Sequence, residues 1–470
     1  MRGRAHRSIA PLLAAAAALA LAAPPARAQR PAFAEGTTPL THDGEHVRVH
    51  YVTASVDAVP PDDVDENGVP DFVDQVVRLA EIAWQDLEAR GFRSPLVDAG
   101  LVPDDDGGDE RFDIYLTNLK AADGNYVIEA CTEEPVHCAG YFAMENDLAG
   151  FNYDSVEEGV SVLTSHELFH AVQAAYVTDM AATWSEGTAM WNEEQTFPEQ
   201  DDYERKVEAF LARPDRPFDR TGGGFGDPYP YGAALWPTFL EERYGDGIVR
   251  RSWEACEALG PGSNFLDAIG EVLAQDGGST ESAWIEFSRW NLFTGDRADP
   301  SRAYQAGADL ALVATEEALT AVGAAQTTVE GMSARYLPIA VAGDARMQIA
   351  VAVDDGAVAA FYPQENGGAL GDAVELSRDG DLLAAVLPGE ARGILVLTSV
   401  RRGGLPRDAS VDVAVAPPDE GDGGEDDDEG GCQAARSGGG PVPGTAMLLL
   451  AASAFFLAGR RPRHLDGGVR

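Results

Sequence analysis

The chain has 470 residues, and 78 acidic against 34 basic side chains leave a formal net charge of −44. A surface of that sign repels phosphate backbones and anionic lipid headgroups, which argues against nucleic acid as a partner. With 45% hydrophobic and 8% aromatic residues the chain can build real cores, so wholesale disorder is excluded, and its length suits two folded domains plus targeting segments.

At the start of the chain, Arg2, Arg4 and Arg7 precede an apolar run from Pro11 to Ala23, and Ala26-Arg27-Ala28 has an A-x-A cleavage pattern. Residues 1–28 therefore read as a secretory signal peptide; the alternative, a membrane anchor, is opposed by a short and alanine-rich run. Whether residues 29 to about 45 form a propeptide is open, but no cysteine lies there, which excludes a cysteine-switch latency. His46 to Thr53 and Arg111 to Leu116 alternate apolar and polar, as half-buried strands do, with a helix from about Phe72 to Ala89 between them. The loop before that helix offers Asp63, Asp65, Asn67 and Asp71 at positions one, three, five and nine, Gly68 at six, the backbone carbonyl of Val69 at seven and Asp74 at twelve. That spacing follows the logic of a calcium loop, with Asp where an EF-hand has Glu, as in dockerin-like loops; the alternative is an acidic turn capping the helix. The run Asp104-Asp105-Asp106-Gly107-Gly108-Asp109 lacks such spacing and reads as a solvated turn. In an oxidising compartment Cys131 and Cys138 are close enough to close a small disulfide loop, whereas Cys256 sits in an apolar helical pattern and reads as a buried free thiol.

His166-Glu167-Leu168-Phe169-His170 is an H-E-x-x-H motif in a proline-free stretch from about Val156 to Val177, with Val160, Leu163, Leu168 and Val172 at the apolar positions. On a helix the two histidines project from one face and can share a zinc ion, while Glu167 is turned aside, where it can touch a bound water without ligating. A third ligand is needed. Glu186, in Trp184-Ser185-Glu186-Gly187-Thr188-Ala189, lies far enough on for the first helix to end, turn near Asp179, and return as a second helix; Glu193 and Glu194, two turns further, are rivals. A third histidine after a glycine is absent, because residues 171–181 contain neither. H-E-x-x-H followed by W-x-E-G-x-A resembles the gluzincin metallopeptidases over about thirty residues, with an interval that departs from their best-known branches. From about His46 to Tyr244 the arrangement resembles secreted myxobacterial H-E-x-x-H metalloproteases. The resemblance implies a zincin-like catalytic domain, zinc on His166, His170 and Glu186, Glu167 as general base, and a protein or peptide substrate. It also implies a Tyr or His outside the motif as a donor to the oxyanion. Tyr231, in Asp227-Pro228-Tyr229-Pro230-Tyr231-Gly232, is the candidate, and its alternative is a tyrosine that only packs. His42, His46, His50 and His137 show no ligand spacing, and His50 reads as a packed strand residue.

From Tyr231 to about Val313 the period is helical, with stripes at Leu235, Phe239 and Leu240, at Phe265, Ile269 and Val272, and at Trp284, Phe287 and Leu292. Beyond about Thr327 the period falls to two, in Arg335 to Ala342, Gln348 to Val353, Ala357 to Tyr362, Gly393 to Thr398 and Val411 to Val415, which predicts a small β-sandwich. Pro417 to Gly431 is an acidic, glycine-rich linker. Gly431-Cys432, an apolar segment from about Val442 to Gly459, and Arg460, Arg461 and Arg463 then follow in an order that resembles the myxobacterial C-terminal sorting signal. That resemblance implies removal of the helix by a sorting protease of the envelope and retention at the cell surface or outer membrane through Cys432, the expected lipid-attachment site; a plain single-pass anchor is the alternative. The expected fold class is α+β: a metal-binding lobe over 29–222, a helical lobe over 223–325, a β-sandwich over 326–416, a linker over 417–441 and a sorting segment over 442–470. The expected function is an exported, surface-anchored zinc metallopeptidase with a structural calcium. A catalytically silent adhesion protein that keeps the metal site as scaffolding, or a zinc hydrolase acting on something other than peptides, are the alternatives.

Overall fold

Val47, Val49 and Tyr51 are buried on one side of their strand, and this alternation begins the sheet on which the rest of the lobe is built. The computed structural model describes residues 30–102, 107–220, 226–365 and 368–417. The signal-peptide residues, Asp104 to Asp106, and the tail beyond Pro417, with Cys432 and the 442–459 segment, lie outside the described residues. Among the described residues no helix is long and apolar enough to cross a membrane.

The protein is mixed α+β. Its first sheet contains β1 (Leu40–Asp43), β2 (Val47–Tyr51), β3 (Phe112–Thr117), β4 (Gly124–Cys131) and β5 (Cys138–Glu145), in the order β1-β2-β3-β5-β4. β2, β3 and β5 run parallel, and β1 and β4 are antiparallel at the two edges. The inner face, with Phe112, Ile114, Leu116, Phe142 and Met144, packs on α1 (Asp71–Ala89) and α2 (Val156–Tyr176). Two of these strands, β4 and β5, carry no sequence signal of period two. Every residue of β5 is buried, as expected for a strand covered on both faces, and a β-bulge interrupts β4. The Cys131–Cys138 disulfide closes the β4–β5 hairpin, and Cys256 is a buried free thiol.

Helices follow: α3 (Ala182–Thr196), α4 (Asp202–Leu211), α5 (Tyr229–Gly232), α6 (Leu235–Tyr244), α7 (Ile248–Leu259), α8 (Phe265–Ala274) and α9 (Thr280–Trp290). All three predicted stripes are buried, and Phe218, Trp236, Trp284 and Phe287 form an aromatic centre with ring separations of 5.0–6.0 Å. The α-helices stop at Trp290 rather than near Val313: Gly295, Pro300 and Gly307 break the chain, although Tyr304, Leu310 and Val313 still reach the core.

The remaining strands are β6 (Gly323–Val329), β7 (Ser333–Val341), β8 (Met347–Ala352), β9 (Ala357–Pro363), β10 (Val374–Glu375), β11 (Ser377–Asp379), β12 (Leu382–Leu387), β13 (Ala391–Ser399) and β14 (Arg407–Val415). They form two antiparallel sheets, β10-β9-β13-β7 and β11-β12-β8-β14-β6. Leu337, Phe361, Leu395 and Leu397 of the first sheet share a core with Ile349, Val351, Val411 and Val413 of the second. Tyr336, Tyr362, Ile394 and Val396 leave the first sheet on its other face and join the apolar cluster of the helices and the first lobe. That sheet is therefore buried on both faces, which accounts for the unbroken run Ile394–Leu397. The described residues from 30 to 416 form one compact unit, with one apolar cluster running from Val47 to Val396 across the expected divisions at 222/223 and 325/326.

Candidate metal centre

The helix carrying the motif begins where Ser155 caps it, its side chain accepting from the Glu158 N–H at 3.0 Å. One turn apart on α2, His166 and His170 face the start of α3, which supplies Glu186. The His166 Nε2 and His170 Nε2 atoms are 3.1 Å apart, and Glu186 Oε2 lies 3.3 Å from the first and 3.5 Å from the second. One potential ligand atom from each of the three residues lies within 4.8 Å of the others.

The far side of each ring is fixed by a partner. Glu193 Oε1 is 2.6 Å from His166 Nδ1, and both side chains are buried. Glu193 lies seven residues after Glu186, hence on the same face of α3, and its place beside the outer nitrogen makes it an orienting partner rather than a third ligand. Gln173 donates through Nε2 to the Ser185 carbonyl at 2.8 Å, so its Oε1 is left to accept from His170 Nδ1 at 3.0 Å. In the neutral rings with Nδ1–H donating outward, two imidazole lone pairs and a carboxylate oxygen converge, an arrangement that fits a divalent cation in place of the proton that otherwise bridges them.

The electrostatics agree. Burial lowers the basicity of His166, but hydrogen bonds to Glu186 and Glu193 outweigh it and hold the imidazole well above its ordinary pKa. His170 is raised in the same way, burial being outweighed by Glu186. Glu186 in turn is held well below the usual carboxylate range, the two histidines overriding its desolvation. Glu193 has the opposite balance: burial pushes its carboxyl up to about 7 against the pull of His166. The centre thus attracts positive charge, whether proton or metal.

Glu167 stands beside the histidines on α2, and its Oε2 accepts from the Tyr126 N–H of edge strand β4 at 2.6 Å. Tyr126, Val127 and Ile128 form one wall of a cleft of about 480 Å³, and His170, Ser185 and Glu186 form part of the other. Tyr231 stacks on the His166 ring with centroids 5.8 Å apart and an interplanar angle of 23°. Burial, with Glu186 and Glu167 nearby, raises its hydroxyl above the ordinary tyrosine range, so it remains a neutral donor. Tyr229 instead donates to the Arg216 carbonyl at 3.1 Å and is purely packed. Gly187 permits this closeness: a Cβ there would come within 3.1 Å of the Ala233 backbone, so α3 and α5 meet at that point.

No family model and no curated protein matches this chain. Among solved structures it is similar to the pre-peptidase C-terminal domain of a collagenase from Bacillus anthracis, at 13% identity and a TM-score of 0.17, over 22% of this chain and 98% of that one.

The other predicted sites vary in outcome. Glu194 lines a separate small cavity with Phe197, Gln200 and Tyr203, where burial and the nearby Glu204 and Asp201 push its carboxyl up to about 8. In the loop before α1, oxygens of Asp63, Asp65 and Asp71 come within 4.8 Å of one another. Asn67 Oδ1 accepts from the Val69 N–H at 2.7 Å, and Gly68 takes the φ of 91° that the turn requires. Asp74, expected at position twelve, does not join the three carboxylates: it accepts from the Asn67 amide at 2.9 Å and lies 3.0 Å from His42. His46 is paired with Glu81, His50 with Asp113, and His137 with Glu257.

Proposed function

We propose that this chain is an exported zinc metallopeptidase retained at the cell surface by its tail, with His166, His170 and Glu186 as the zinc ligands. The observation that carries the reading is the convergence of one ligand atom each from His166, His170 and Glu186, with His170 and Glu186 lining a cleft whose Tyr126 also bonds Glu167. His166, His170 and Glu186 would hold the zinc, whose Lewis acidity would polarise a scissile carbonyl and bring the pKa of water to roughly 7. Glu167 accepts the proton of the attacking water and hands it to the leaving amine; the Tyr126 N–H, bonded to Oε2, holds the carboxyl group in place and leaves Oε1 to carry the proton. Tyr231, neutral and stacked on His166, donates its hydroxyl to the oxygen that gains charge. Glu193 and Gln173 fix the two imidazoles, as required for the ligand nitrogens to stay aimed. β4 has no second strand beside it among the described residues, so its outer edge suits an extended peptide substrate. The zincin-like assignment of the lobe and its kinship with gluzincins and myxobacterial metalloproteases belong to the same proposal, as do export and retention through Cys432. A structural calcium held by Asp63, Asp65 and Asp71 completes it.

Metal analysis combined with cleavage of an unfolded protein substrate, comparing the native protein with Glu167→Gln, tests the reading. Stoichiometric zinc in both and turnover only in the native protein is the expected result. Zinc without turnover in either would favour the adhesion alternative, and a protein that binds no zinc would overturn the site.

A further inference from the structure

Away from the metal centre, on the opposite face of the first sheet, Arg30 is buried among three carboxylates. Its Nε donates to Glu129 Oε1 at 2.8 Å, Nη1 to Asp113 Oδ2 at 2.7 Å and to the Tyr115 hydroxyl at 2.9 Å, and Nη2 to Glu129 Oε2 at 3.1 Å and to Asp98. The Arg30 side chain is 6% exposed, and those of Asp98, Asp113 and Glu129 are 3%, 3% and 1% exposed. Phe33 then packs on Tyr115, Tyr141 and Ala143, and the Ala34 N–H donates to Asp57 at 2.8 Å. Residues 30–34 therefore lie along the sheet as a brace.

One of the carboxylates has a special position. In the β4–β5 register Ile128 pairs with Gly140 and Ala130 with Ala139, so Glu129 is the extra residue of the bulge. The disulfide and the ladder hold β4 on either side of the bulge, and the bulge itself is a break in that ladder. The fork of Arg30 on both oxygens of Glu129 supplies a tie from outside the strand. Three residues earlier the same strand presents the Tyr126 N–H to Glu167, and Tyr126 to Ile128 form the cleft wall.

We infer that Arg30 is a positioning residue: by holding the bulge at Glu129 it sets the course of β4, and through the Tyr126 N–H the attitude of Glu167. The catalytic part of this inference rests on Glu167 being the base of the proposed peptidase; the mechanical part does not. It further requires that the 30–34 segment stay on the working protein, in keeping with the expected signal cleavage after Ala28.

Arg30→Lys keeps the positive charge among the carboxylates but cannot make the two-pronged contact to Glu129. Glu129→Gln removes one charge, keeps the shape, and decides the matter if the lysine variant does not fold. In a folded variant, hydrogen exchange over residues 124–131 should speed up about tenfold relative to β2, with zinc content unchanged. The kcat on a protein substrate should fall about tenfold while KM stays within about twofold, because the base rather than the binding surface is disturbed. A folded variant whose β4 exchanges as in the native protein overturns the inference, and faster exchange with unchanged kcat overturns its catalytic part. A native protein with neither zinc nor turnover would refute the peptidase reading, while the exchange comparison would still decide the brace.

Discussion

Glu193 offers the sharpest test of how the proposed metal centre is built, because it is buried, lies outside the three converging ligand atoms, and touches the proposed ligand His166 at 2.6 Å. Replacement by alanine leaves the His166 Nδ1–H with no acceptor in a buried site and frees the ring to turn. Loss of such an outer partner costs roughly 10- to 100-fold in metal affinity, about 1.4–2.7 kcal/mol. Glu193→Ala belongs near the upper figure. Glu193→Gln keeps an acceptor oxygen at the same place but loses the charge-assisted part of the bond, so it belongs near the lower figure, about tenfold. Competition with a chromophoric zinc chelator at fixed pH measures both, with His166→Ala as the reference for loss of a true ligand. Affinities equal to that of the native protein in both variants would refute the orienting role. A collapse as deep as that of His166→Ala would make Glu193 a ligand.

Glu194 should make stability fall as pH rises. Its carboxyl is raised to about 8, so between the ordinary glutamate range and pH 8 the folded state binds more protons than the unfolded one, and the penalty is fully present only above that window. The Tm of Glu194→Gln should therefore fall less between pH 5 and pH 8.5 than the native Tm does, and parallel losses would contradict the assignment. Gly140→Ala would place a Cβ 2.0 Å from the Val127 carbonyl oxygen beside the bulge, and the forced shift should lower stability by about 1–3 kcal/mol in urea denaturation; an unchanged midpoint would refute the close approach. Millimolar calcium should raise the Tm of the native protein, and Asp65→Asn should abolish that rise; equal Tm values with calcium and with chelator would remove the ion from the loop 63–74.

The sequence by itself determined what depends on local periodicity. The two histidines of the motif share a face because they are four apart on one helix, and the helical stripes around Leu235, Phe265 and Trp284 are buried for the same reason. The hairpin pairing of Cys131 with Cys138 is also a short-range matter. Tertiary structure alone decided what depends on how elements approach one another. Glu186 and Glu193 lie on the same face of α3, and both were open as ligands; only the packing of α3 on α2 sets one at the inner nitrogens and the other at the outer nitrogen of His166. Strands β4 and β5 gave no alternating pattern, because one is buried throughout and the other is bulged, so the strand that borders the cleft was invisible before folding. Arg30 and Glu129 are 99 positions apart, and no spacing rule connects residues that meet only because a sheet brings them to the same face.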